Sequence, residues 1–181
     1  MRRRSRRDGA PIRPERIKRV VIYGLLLLLL AAAQCSFFGQ LNFLPAIPDL
    51  LLCALVAILL RESGATAAVF GMAGGLLLDA TGAVGVSIRP LFYFLVAALL
   101  GVMAEKMLPS FWSWLFLMLP ALLLRGGFTF AEHLIFLKGF SALAVLRQVI
   151  LPELLLTLLV GIPLYGIVSL CARLAKERHR T

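Results

Sequence analysis

From Val20 to Phe38 the chain runs nineteen residues without a charge, six of them consecutive leucines from Leu25 to Leu30. That matches the roughly 20 apolar residues an α-helix needs to cross a 30 Å hydrocarbon core. The stretch also resembles the apolar region of a secretory signal, with Ala31-Ala32-Ala33 and then Cys35 at a lipoprotein-type position. Gln34 stands where a small residue is needed before the cysteine, and further apolar runs follow. The segment therefore reads as an uncleaved first spanning helix. Ser5-Arg6-Arg7 is no twin-arginine signal, because Asp8-Gly9 follow where apolar residues belong.

The rest of the chain supports a membrane solvent. Hydrophobic residues make up 61% of it and the mean hydropathy is +0.94, against roughly 45–50% apolar residues in soluble domains. Such a chain cannot hide its apolar side chains in one water-soluble core. The net charge of +10 is uneven: residues 1–19 hold nine Lys/Arg against Asp8 and Glu15, and residues 173–180 hold four against Glu177. Between them, six basic residues face six acidic ones. The basic balance thus belongs to two tails, which argues against a nucleic-acid partner. The tails suit a topology signal and contact with anionic lipid, where each Lys or Arg can contribute about 1 kcal/mol. Cys35, Cys53 and Cys171 lie inside apolar runs with no metal-ligand spacing and read as small buried hydrophobes.

Residues 48–79 carry the most organised pattern. Two short apolar runs flank Arg61-Glu62-Ser63-Gly64, and Asp49 and Asp79 mark their outer ends. The runs are short for a full span, and the expectation is a hairpin of two spanning helices. Asp49, after Pro48, suits a helix N-terminus, where a carboxylate meets the positive end of the helix dipole. Asp79 closes its helix at the unfavourable end and needs a cation, for which Arg89 is the candidate. Ala67, Gly71 and Gly75 are four apart, with Gly74 alongside, a spacing that lets another backbone come close in lipid. Pro48, Asp49, Gly71, Gly74, Gly75, Asp79 and Arg89 form the candidate packing or partner-binding set.

A glycine-rich turn over 80–89 leads to a helix from Pro90 that ends at Glu105-Lys106, with Pro at its first turn where the missing N–H is harmless. Trp112 and Trp114 are expected at a membrane interface. A fifth span from Phe111 to about Phe130 is interrupted late by Arg125-Gly126-Gly127. Residues 131–148 read as an amphipathic or re-entrant connector, and a last span from about Val149 to Ala172 is bent by Pro152, Gly161 and Pro163. Glu153 stands at that span's start, a good place for a carboxylate. Six spans keep both basic tails inside and put fifteen Lys/Arg there against three or four outside, counting Arg125. The expected organisation is a basic tail over 1–19, a six-span domain over 20–172 and a second basic tail over 173–181. Glu132-His133 has no second histidine at ligand spacing, and no cluster of acids or histidines suggests catalysis, a metal or a cofactor.

In order and spacing, Pro-Asp-Leu-Leu-Leu (48–52), Gly71-x-x-Gly-Gly-Leu-Leu-Leu-Asp79, the glycine-rich turn and Leu-Phe-Tyr-Phe-Leu (91–95) resemble MreD, the rod shape-determining membrane protein family of bacteria. The likeness covers about residues 20–172, while the Arg-rich N-terminal tail is longer than the family pattern. It implies an all-α integral membrane protein, a six-helix transmembrane bundle similar to the substrate-binding subunits of energy-coupling-factor transporters. It further implies a non-enzymatic scaffold in the bacterial cytoplasmic membrane, with both termini cytoplasmic. Its partners would be a single-span MreC-like protein, the actin-like MreB and the RodA–transpeptidase synthase. Pro48-Asp49 and Gly75 to Asp79 would then shape a pocket or partner face. The other expectation is a vitamin-type transporter's binding subunit, which should gather polar side chains near the outer face. Gln40, Asn42, Asp49, Asp79, Ser87 and Arg89 are what the chain offers there.

Overall fold

The computed structural model describes residues 14–36, 47–81, 88–136 and 142–177. Among them the chain is helical apart from turns: α1 (Pro14–Ser36), α2 (Leu50–Leu59), α3 (Gly64–Thr81), α4 (Arg89–Ala104), α5 (Phe111–Phe136), and a long last helix. That last helix begins as α6 (Ala142–Val145), widens into a π turn (Leu146–Ile150) and continues as α7 (Leu151–Glu177). Helix α1 starts inside the basic tail, with Pro14 at its first position, and α7 extends into the second tail. Three segments are long and apolar enough to cross a membrane: Lys18–Ser36, Phe111–Ala131 and Leu143–Arg173. Their outward faces carry exposed leucines, among them Leu29, Leu123 and Leu159. Water would penalise such a surface and lipid accepts it.

Helix α2 differs from the expected span. Its ten residues are all buried, and they reach only about 15 Å, half of a hydrocarbon core. A helix apolar on every side belongs in the interior. It forms the axis around which α1, α3, α4, α5 and α7 pack. Asp49 caps its start, with Oδ1 accepting from Leu52 N at 2.9 Å. At its end Arg61 Nη1 donates to the Ala57 carbonyl at 2.7 Å, satisfying a group the helix leaves open.

Helices α3 and α4 form an antiparallel pair in backbone contact. A Cβ placed on Gly75 would stand 2.5 Å from Pro90 Cα, one on Gly71 2.8 Å from the Tyr93 carbonyl oxygen, and one on Gly101 2.9 Å from Gly64 Cα. The glycine face foreseen at Gly71 and Gly75 is thus filled by α4 of the same chain. Gly74 faces the other way, onto the Leu51 side chain of α2.

Three further expectations change. Arg125-Gly126-Gly127 does not interrupt α5, which continues to Phe136; neighbouring helices compensate for its low local propensity. Trp112 is exposed, but Trp114 is fully buried. Its indole Nε1 donates to the Cys53 carbonyl at 3.4 Å, and its ring lies against Phe111 and Tyr165. Gly161 of α7 provides the room, since a Cβ there would stand 2.9 Å from the Trp114 ring. The tryptophan pair is therefore half interface and half core. The expected connector over 131–148 divides likewise: α5 takes residues up to Phe136, and the last helix begins at Ala142.

Candidate functional site

Deep among these apolar helices lies a cluster of charged and hydroxylic side chains. Asp49 precedes α2, Tyr93 is on α4, Arg125 and Thr129 are on α5, and Glu153 and Thr157 are on α7. Asp49, Tyr93, Thr129, Glu153 and Thr157 are buried. Arg125 Nε donates to Glu153 Oε1 at 2.8 Å and stands 3.3 Å from Asp49 Oδ2. The Tyr93 hydroxyl donates to the same Asp49 oxygen at 2.7 Å. Thr129 donates to Glu153 Oε2 at 3.3 Å, and Thr157 Oγ1 accepts from Asp49 N at 3.0 Å. One guanidinium thus joins two carboxylates from different helices; the Tyr93 and Thr129 hydroxyls donate to them, and Thr157 holds the Asp49 backbone.

Local sequence explains how the groups meet. Gly126 has no side chain to hold α5 away; a Cβ there would stand 3.2 Å from Ile150 and 3.5 Å from Leu154. That approach brings the adjacent Arg125 beside Glu153. Pro152 has no N–H and its ring crowds the carbonyl four residues earlier. The preceding turn opens into a π turn, closed by Leu151 N donating to the Leu146 carbonyl. π turns inside α-helices recur where a side chain is re-aimed, and Glu153 follows directly. On the far side, Gln34 Oε1 of α1 accepts from Leu50 N at 3.1 Å, so the spanning helix α1 also grips the start of α2.

Charge at this depth survives only when paired. Here the Arg125 Nε lies within 3.3 Å of both carboxylates. Arg125 also lies over the Phe92 ring, 5.8 Å from its centroid, and Phe92 stacks on Phe128. Arg125 Nη1 is buried without a hydrogen-bond partner, which leaves one donor of the cluster unused. Among the described residues, no group of three His, Cys, Asp or Glu could hold a metal ion.

Of the candidates read from the sequence, Asp49 is central to this cluster and Pro48 is buried beside it. Gly71, Gly74 and Gly75 contribute no polar side chain to it and lie in helix contacts, Gly71 against the Tyr93 backbone and Gly74 against Leu51. Asp79 sits near the end of α3 and Arg89 opens α4, both half-buried. The contact of Gly75 with Arg89-Pro90 brings those two helix ends together. Gln40, Asn42, Ser87 and Lys138 lie outside the described residues, as do the side chains of Glu132 and His133. Sequence reading missed the joining of Asp49 to Arg125 and Glu153. Its one signal was the neutrality of the middle region, where every cation within an apolar run must find an anion on another helix.

No family model, curated protein or solved structure matches this chain.

Proposed function

We propose that the chain is a non-enzymatic membrane scaffold of the bacterial cell-elongation complex, of the MreD type. In this reading it binds a single-span MreC-like protein and links an MreB cytoskeleton to the RodA–transpeptidase synthase. The observation that carries a scaffold over a carrier or an enzyme is the Asp49–Arg125–Glu153 cluster. One guanidinium holds two carboxylates and so fastens α2, α5 and α7 to one another, as suits a body that transmits contact. The family and its partners rest on the sequence resemblance.

In this reading the single-span partner docks on an apolar groove. An open groove of about 590 Å³ runs between α5 and the α6–α7 start, lined by apolar groups including Leu123, Phe130, Leu146 and Leu154. With no polar wall, it suits an apolar helix. Its volume also favours a second reading, a vitamin-type binding subunit, because ligand pockets occupy about 300–1,000 Å³.

Affinity capture of the tagged full chain in mild detergent, with mass spectrometry of what accompanies it, separates the two. MreC-like protein and synthase are expected; a coupling subunit with an ATPase pair would overturn the scaffold reading. Gly127→Leu adds the sharper test. A Cβ at Gly127 meets nothing within 4 Å, so the variant folds and narrows the groove. Loss of partner capture with thermal stability undiminished is expected, and full capture would remove the groove from the proposal.

A further inference from the structure

At the opposite end of the bundle three arginines converge on one pocket. Asp49 stands at the start of α2 and Arg61 just past its end, so the pocket and the buried cluster lie about 15 Å apart along that helix, roughly half a hydrocarbon thickness. The pocket holds about 470 Å³ and is lined by Arg19, Arg61 and Arg173 with one carboxylate, Glu62, and with Tyr23 and Ser169. Arg19 pairs with Glu62 at 3.4 Å, which leaves the wall with a formal excess of two positive charges. Arg61 is held in place: Nη1 is on the Ala57 carbonyl and the guanidinium lies 4.9 Å from the Tyr165 ring centroid. A fixed cation costs less to engage than one that must first be ordered.

We infer that this pocket binds the phosphate of an anionic phospholipid, the chemistry that planar guanidinium groups recognise best. A phosphate group can come from a lipid or from solution, and the surroundings favour the lipid. Immediately along the same two helices, Val20 and Val21 of α1 and Ile167 and Leu170 of α7 are exposed. Cations above and uncovered apolar side chains below match a headgroup joined to acyl chains. A soluble phosphate would use only the upper half. The inference stands apart from the scaffold reading and holds or fails without it.

The test titrates purified full-length protein in non-ionic detergent with phosphatidylglycerol, phosphatidylcholine or inorganic phosphate, reading lipid adducts by native mass spectrometry and thermal stability in parallel. Phosphatidylglycerol should bind in preference to phosphatidylcholine, and inorganic phosphate at equal concentration should leave stability unchanged. Arg173→Gln, at an exposed position, should weaken phosphatidylglycerol binding about fivefold without altering thermal stability. Arg6→Gln removes the same charge from the N-terminal tail and should have no effect. Equal weakening by both variants would mean diffuse attraction and overturn the pocket. Equal binding of the two lipids, or stabilisation by inorganic phosphate alone, would overturn the assignment to an anionic lipid.

Discussion

Asp49 does two jobs with two oxygens. Oδ1 caps α2 through Leu52 N, while Oδ2 receives the Tyr93 hydroxyl and faces Arg125. The first job was legible, because an aspartate between a proline and an apolar run is a helix start. The second was not: Arg125 is seventy-six residues away in sequence, and Arg-Gly-Gly reads locally as a break. Asp49→Ala removes both jobs, leaving Arg125 with Glu153 alone and the buried Tyr93 hydroxyl without its acceptor, and should cost about 1–3 kcal/mol. Asp49→Asn retains a capping oxygen and should cost distinctly less. Unfolding of both variants in detergent checks this; equal losses would show that the charge contributes nothing beyond the cap.

Helices here are placed by what they lack. Gly71 and Gly75 allow α4 to lie on α3 backbone to backbone, while Gly126 admits Ile150 and Leu154. Glycine spacing announced close approach, but it did not say which helix would come. Gly75→Ala places a methyl 2.5 Å from Pro90 Cα and should destabilise by about 1–3 kcal/mol through overpacking. Gly127→Ala, with open space around it, should stabilise by up to about 1 kcal/mol through helix propensity. Thermal unfolding of the pair distinguishes contact from propensity, and a change of the same sign in both would count against the packing account. Helix α2 teaches the complementary lesson. Its length was readable, yet its place on the axis follows from five neighbours that shield a helix too short to span alone.

Across the whole molecule, polar groups gather at separated depths: Asp49, Arg125 and Glu153 in one cluster, and Arg19, Arg61, Glu62 and Arg173 in another. Arg19 near the start of α1 and Arg173 near the end of α7 share a pocket, so the chain enters and leaves the bundle at the same end. Asp79 and Arg89 stand at the joined ends of α3 and α4, and their pairing is open to a double-mutant cycle. Asp79→Ala and Arg89→Ala should each destabilise, with the double variant no worse than the worse single one. A coupling of about 0.5–3 kcal/mol is the range for contacting residues; additive losses would refute the pair.

Apolar run length and the two basic tails determined a helical chain fit for lipid, read as six spans; the structure shows three helices long and apolar enough to cross a membrane. Local sequence also determined the cap at Asp49, because each of these depends on residues within a few positions of one another. Which helix fills the glycine face, which tryptophan is core and which cation neutralises which acid depend on contacts across dozens of residues. Only the tertiary structure decided those. In an apolar interior a charge must be paired, but sequence order does not say with what.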